Sequence, residues 1–185
     1  KLLMEYAPEA PRAALLWSYP SMLVAWCESS TDAVEPDERD GTDSYGTQAR
    51  AGFFFRQHLD NLQLSAAYVA PDQILHGDAL GQYPLLILPF TVAFPTALVE
   101  PLTAYVEAGG TLVGDLRCLR TDEHGRPTAD SDALQRLFGV TRTGPATYAA
   151  GTVRGTAAAD GLDLRGRALA VYGREALQAA GAQAL

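Results

Sequence analysis

Residues 83–119 read YPLLILPFTVAFPTALVEPLTAYVEAGGTLVGDLRCL, and this stretch decides the fold. Tyr83-Pro84-Leu85-Leu86-Ile87-Leu88-Pro89 is an unbroken apolar run bounded by prolines, the pattern of a strand covered on both faces in a parallel sheet. From Pro95 to Ala108 the spacing becomes helical, placing Leu98, Leu102, Tyr105 and Val106 on one face. Pro101 lies inside this stretch, so either the helix kinks there or a new helix starts with Pro101 at its first position. Gly109-Gly110 ends the helix, and Thr111-Leu112-Val113 starts the next strand. This strand–helix–strand unit implies a right-handed crossover between parallel strands. In such sheets ligands bind beyond the carboxyl ends of the strands, which here means Gly114-Asp115-Leu116-Arg117-Cys118.

Working outward, Ala13-Ala14-Leu15-Leu16-Trp17 is the first strand, and Ser21 to Trp26 is read as one helical turn. Glu28 to Tyr45 carries Asp32, Glu35, Asp37, Glu38, Asp40 and Asp43 among Ser, Thr, Pro and Gly, without recognisable ligand spacing, and reads as a solvated loop. Thr47 to Asn61 regains helical period, with Phe54, Phe55, His58, Leu59 and Leu62 grouped on one side. Leu64 to Val69 is the second strand, and Pro71 to Leu75 a short helix. Strands at Ala13, Leu64, Leu85 and Thr111 predict a parallel sheet of order 2-1-3-4. Beyond the turn-rich Thr121 to Ser131, Asp132 to Phe138 is a helix capped by Asp132 and ended by Gly139. Val153, Leu162 to Leu164 and Ala168 to Tyr172 are short candidate strands in an Ala- and Gly-rich tail.

The 185 residues suffice for one domain with a real core. A net charge of −8 argues against nucleic acid or an anionic membrane as the main partner. No apolar run reaches the length of a membrane span. Cys27 and Cys118 form no CxxC pair, so neither a disulfide framework nor a zinc site is indicated. With no GxGxxG or GxxxxGKT cradle, no nucleotide cofactor is expected, and no metal. Opening on Lys1, the sequence is expected to be part of a longer chain. Residues 1–10 are then a lead-in from a preceding domain and 11–185 one domain, divided into a main part 11–140 and a truncated part 141–185.

In order along the chain, several stretches resemble the middle domain of the family 42 glycoside hydrolases, the bacterial β-galactosidases. They are the strand ending in Trp17, Leu59-Asp60-Asn61-Leu62, the run from Tyr83 to Pro89 and the run from Leu102 to Val113. Arg120-Thr121-Asp122-Glu123-His124-Gly125 and Leu134 to Val140 complete the set. The resembled domain is the β-galactosidase trimerisation domain, with a flavodoxin-like, class I glutamine amidotransferase-like fold. The resemblance implies an α/β three-layer sandwich with a central parallel sheet and no catalytic carboxylates of its own, since those sit on a preceding TIM barrel. It also implies a homo-oligomer, a trimer in the full-length protein. The parent enzyme would act on carbohydrate in the cytoplasm, this domain framing the mouth of a neighbouring active site. The acidic stretch before Tyr45 departs from the family pattern.

Three functions stand side by side: this non-catalytic assembly domain, a stand-alone cysteine-dependent amidotransferase-like enzyme, and a flavodoxin-like module for a small ligand. The second rests on Cys118, which follows the strand where active relatives of the fold carry a nucleophile. It comes three residues late, and no Gly follows it. A triad needs a His held by a carboxylate and facing the nucleophile, and His58, His76 and His124 show no such pairing. Asp122 and Glu123 are adjacent on one loop, unlike the opposed carboxylates of glycoside hydrolysis. Trp17, Asp115, Arg117, Arg120, Asp122 and Glu123 are the candidate interface or ligand-edge residues.

Overall fold

The computed structural model describes residues 10–30, 44–115, 117–128, 132–144, 147–154, 158–159, 162–163 and 168–181. The chain divides into two compact units, Lys1–Thr128 and Ala129–Leu185. In the first, β1 (Ala13–Leu16), β2 (Ala66–Val69), β3 (Leu85–Leu88) and β4 (Thr111–Gly114) form a sheet of order β2-β1-β3-β4. Every pairing is parallel, with Ala13 opposite both Ala66 and Leu85, and Leu85 opposite Thr111. This is the expected order, and with its helices the sheet makes an α/β three-layer arrangement. The two inner strands carry the core: Leu15, Leu16, Leu86 and Leu88 are wholly buried. Burying a leucine side chain contributes about 1.5–3 kcal/mol.

The helices are α1 (Tyr19–Ser30), α2 (Ser44–Asn61), α3 (Pro71–His76) and α4 (Val99–Glu107). Helix α1 is much longer than the single turn read from the sequence and takes in Glu28 to Ser30, which were assigned to the acidic loop. Ser18 caps it, its Oγ accepting a bond from the Ser21 amide at 3.2 Å. Pro20 falls in the first turn, where its missing N–H costs nothing. Residues 31–43, the rest of the acidic stretch but for Ser44 and Tyr45, which open α2, lie outside the described residues. Helix α2 follows the expected inward face only in part: Leu59 is buried and Phe55 packs against the core, but Gln48 and Gly52 are buried where Phe54, His58 and Leu62 had been expected and are exposed. The Gln73 side chain reaches back to the Ala70 amide at 2.8 Å and fixes the start of α3.

Pro101 does not open α4. A 3-10 turn, Thr96–Leu98, leads directly into α4, and Pro101 is the third residue of its first turn. Two different constraints act at the end of α4. Gly109 adopts a left-handed φ of 98°. Gly110 makes room for Tyr105, since a Cβ there would lie 2.3 Å from that ring. The Tyr105 hydroxyl donates to the Tyr83 carbonyl at 3.0 Å, tying α4 to the start of β3, and burial raises its pKa.

The second unit contains α5 (Asp132–Phe138), ended by Gly139 at φ 65°. Strand β5 (Val140–Arg142) pairs antiparallel with β10 (Leu177–Ala179). Between them in sequence, β6 (Thr147–Arg154) and β9 (Ala168–Arg174) form a longer antiparallel pair, bulged between Tyr148 and Gly151. The short β7 (Ala158–Ala159) and β8 (Leu162–Asp163) pair beyond it. Arg142 donates through Nε to the Glu175 carboxylate, and both side chains are buried. Asp132, expected to cap the helix, is the first residue of α5 itself, and the strand position Leu164 lies outside the described residues.

Candidate functional site

The carboxyl edge of the sheet is built from the segments that leave β1, β3 and β4. After β3 the chain turns sharply at Phe90, which holds a positive φ of 41°. A non-glycine residue rarely adopts that conformation unless its surroundings impose it. The constraint comes from Asp115, just past β4, whose Oδ1 accepts the Phe90 amide at 2.7 Å. Burial raises the Asp115 pKa from 3.8 to about 7, and the bond from Phe90 opposes that rise. Arg117 places its guanidinium 5.7 Å from the centre of the Phe90 ring. Asp115 and Arg117 therefore meet on one residue, Phe90, that the sequence had not singled out.

The loop after β3 is then pinned from two sides. Ser18 and Ser21, both buried, lie 2.8 Å apart, and both donate to the Ala93 carbonyl, at 3.2 and 2.9 Å. Ser21 Oγ also accepts the Ala93 amide at 3.1 Å. On the other side Leu119 donates to Thr91 at 2.8 Å and Arg120 to Val92 at 2.9 Å, both through backbone amides. Arg117 and Leu119 reach this pairing through left-handed φ values of 63° and 61°. Cys118 sits between them and is only 3% exposed. A thiol held there does not present itself to a substrate in solution.

At the β1 end, Trp17 donates its amide to the Val69 carbonyl at 2.9 Å and stacks edge-on against Tyr68, with ring centres 5.5 Å apart. Buried Gln48 of α2 donates to the Leu16 carbonyl at 3.2 Å, and its Oε1 has no hydrogen-bond partner among the described residues. Asp122 belongs to a separate turn, where Oδ1 accepts the amides of His124 and Arg126, each at 2.9 Å. The Arg126 amide bond is the largest cause of its lowered pKa. Glu123 points toward His124 at 3.8 Å. His58 is held by the Phe54 carbonyl on α2 and His76 ends α3. Among the described residues no three His, Cys, Asp or Glu side chains converge as a metal site would require, and no helix is long and apolar enough to cross a membrane.

The polar groups of this edge are thus committed largely to each other. Asp115 holds Phe90, the two serines hold Ala93, and backbone amides link the two loops. Ser18 and Ser21 were not read as site residues in the sequence, although Ser-Tyr-Pro-Ser is a helix-start signature: a capping serine with proline in the first turn.

The comparisons with known proteins agree with one another. The family model described as the β-galactosidase trimerisation domain matches residues 30–161, well over half of the chain. No curated protein matches the sequence significantly. Among solved structures, a β-galactosidase from Bacillus circulans sp. alkalophilus superposes with a TM-score of 0.71 at 13% identity, over 95% of this chain and 24% of that one. A β-galactosidase from Rahnella sp. R3 gives 0.68 at 18% identity, over 95% and 24%. A catalytic mutant of a GH42 β-galactosidase from G. stearothermophilus gives 0.63 at 16% identity, over 96% and 23%. The chain thus spans about a quarter of the length of these enzymes, and at such identities the likeness speaks for the fold. The family match goes further, and by it this chain belongs to the β-galactosidase trimerisation domain family.

Proposed function

We propose that this domain assembles copies of a β-galactosidase-type glycoside hydrolase and frames the mouth of a neighbouring catalytic barrel. The observation that carries the reading is the family match across residues 30–161. The carboxyl edge supports it, because the groups that would bind a ligand in this fold class are occupied in holding two loops together. On this reading Trp17, Arg117, Arg120 and Glu123 are surface for contacts with a barrel or a second copy, Asp115 and Asp122 shape the loops that carry them, and the parent enzyme works in the cytoplasm. A cysteine-dependent enzyme finds less support, since Cys118 is buried.

The test is to purify the full-length protein and measure its mass by sedimentation velocity together with its turnover of nitrophenyl β-galactoside. A trimer that hydrolyses the galactoside, with turnover unchanged by Cys118→Ala, is expected. A monomer at all concentrations, or turnover of glutamine or activated esters that Cys118→Ala abolishes, would reject the reading.

A further inference from the structure

The segments that leave β3 and β4 both run through backbone conformations that residues with side chains rarely adopt. The φ values are 41° at Phe90, 63° at Arg117 and 61° at Leu119. Such residues persist only where their surroundings impose them, and two sets of contacts between the segments do so. The amides of Leu119 and Arg120 donate to the carbonyls of Thr91 and Val92, and Oδ1 of Asp115 accepts the Phe90 amide at 2.7 Å. The first set is backbone and indifferent to pH. The second depends on one titratable group, a carboxyl only partly open to solvent. The groups around it are mostly uncharged. Pro89 to Phe94 contains nothing that titrates. Helix α1 brings Val24 and Ala25, and α2 brings Ala51, to the apolar cluster of Phe90 and Val92. The segment after β4 brings the buried Cys118 thiol, Arg120, and Arg117 with its guanidinium over the Phe90 ring. Burial raises the Asp115 pKa from 3.8 to about 7, and among the described residues no neighbouring charge enters into that shift.

We propose that the bond between Asp115 and Phe90 is a pH-operated latch, whose release lets the segments after β3 and β4 part and uncovers Cys118. A neutral carboxyl sits in this place at little cost, and its Oδ1 still accepts the Phe90 amide. A carboxylate there is short of the water that its charge demands. Conformers in which Asp115 reaches solvent therefore gain weight once it ionises, by up to about tenfold per pH unit above the folded pKa. The bond from Phe90 favours the carboxylate and opposes this release, and burial outweighs it. The strained residues set the direction of the movement. Once Asp115 lets go, relaxation of Phe90 pulls against the backbone bonds that Thr91 and Val92 make just beyond it. The opening stays local, because Leu85 to Leu88 remain paired with Thr111 to Gly114 beneath it. Arg117 and Arg120 ride on the released segment, so the order of this edge becomes a function of pH.

The experiment measures how fast iodoacetamide alkylates Cys118 in the full-length protein, from about pH 6 to about pH 8.5. The product is read on the peptide that contains Cys118, so other thiols do not interfere. Asp115→Asn is the reference: it keeps an oxygen for the Phe90 amide, never ionises and carries the same thiol. Ionisation of the thiol itself speeds both proteins, and a charged Asp115 nearby would slow the wild type, so neither effect imitates the latch. Expected is a ratio of wild type to variant near one at the acid end that rises about tenfold or more across the range. Hydrogen exchange over the same range locates the opening. Protection of the Leu119 and Arg120 amides should fall in wild type, while that of Trp17, bonded to Val69 on the β1–β2 side of the sheet, should hold. A flat ratio overturns the latch. An equal loss of protection at Trp17 overturns it too, since the whole domain would then be loosening. If circular dichroism shows that Asp115→Asn does not fold, the contrast between Leu119 with Arg120 and Trp17 in wild type decides alone.

Discussion

Helices α1 and α4 belong to the same sheet unit and divide their apolar residues differently. Helix α4 buries Val99 and Leu102, with Leu98 just before it, and leaves Glu100 and Glu107 to solvent, together with Val106, which was expected on the buried face. Helix α1 buries a serine and small or flexible residues and leaves Tyr19, Leu23 and Trp26 outside. The first pattern is what folding alone requires, an apolar stripe against the sheet. The second leaves three large apolar side chains outside the sheet unit's core. The difference separates side chains that hold the sheet from side chains whose loss the folded domain should tolerate, and it can be broken experimentally.

The largest effect is expected at Leu102. Its side chain is wholly buried, so Leu102→Ala removes both apolar contact and volume, at a cost of about 2–5 kcal/mol. Chemical denaturation of the chain should show the midpoint falling with an unchanged slope. A loss under about 1 kcal/mol, an ordinary surface value, would mean that α4 does not anchor the sheet as described.

Asp115 comes next. Asp115→Ala leaves the Phe90 amide without its acceptor and should cost about 1–3 kcal/mol. Asp115→Asn keeps an oxygen in that position and should cost far less. The pair also separates by pH. With its folded pKa raised from 3.8 to about 7, the buried group binds its proton more tightly than the unfolded chain does. Its stabilisation is therefore fully present below 3.8 and declines as pH rises through about 7. Melting curves of wild type and Asp115→Asn from acid to neutral pH should show the wild type losing ground to the variant over that window. Parallel profiles would refute the assignment.

A smaller loss is expected at the serine pair. Ser18→Ala removes the cap of α1 and one bond to the Ala93 carbonyl, while Ser21 keeps its own bonds to Ala93. About 1 kcal/mol is the usual cost of losing such a cap. A double variant, Ser18→Ala with Ser21→Ala, should cost more than the two single changes together, because either serine can still hold the loop when the other is gone. Additive losses in thermal melts would show that the two hydroxyls act independently.

How much of this was legible in the sequence follows from the kind of signal each part left. The four parallel strands and their order were readable because β1 and β3, buried on both faces, are written as unbroken apolar runs. The same kind of signal hid α1. With Tyr19, Leu23 and Trp26 outside and Met22 and Ala25 inside, the helix has no polar face, so periodicity had nothing to report beyond a turn. The inward face of α2 was read correctly at Phe55 and Leu59 and misjudged at Phe54 for a related reason: three successive phenylalanines, Phe53 to Phe55, satisfy several helical faces at once. Around the carboxyl edge, Asp115 and Arg117 were marked by position in the fold. Phe90 was not, because a strained φ imposed by a distant carboxylate leaves no trace in residue type. In the second unit, the pairing of β6 with β9 is carried by backbone bonds in an Ala- and Gly-rich segment that has little hydrophobic pattern.

The smallest effect is expected on α1 itself, and its smallness is what sharpens the comparison. Leu23 lies on the outer stripe, so Leu23→Ala forfeits only part of a leucine's burial in the unassembled chain. It also gains slightly from the better helix propensity of alanine. The two terms oppose each other, and the stability of the dilute, unassembled protein should move by no more than about 0.5 kcal/mol, as for most surface changes. Melting wild type and variant in parallel down to low concentration checks this, and the curves should nearly coincide. A gap of about 2 kcal/mol or more at the lowest concentration would instead place Leu23 in the core, and α1 would then be an ordinary folding helix like α4.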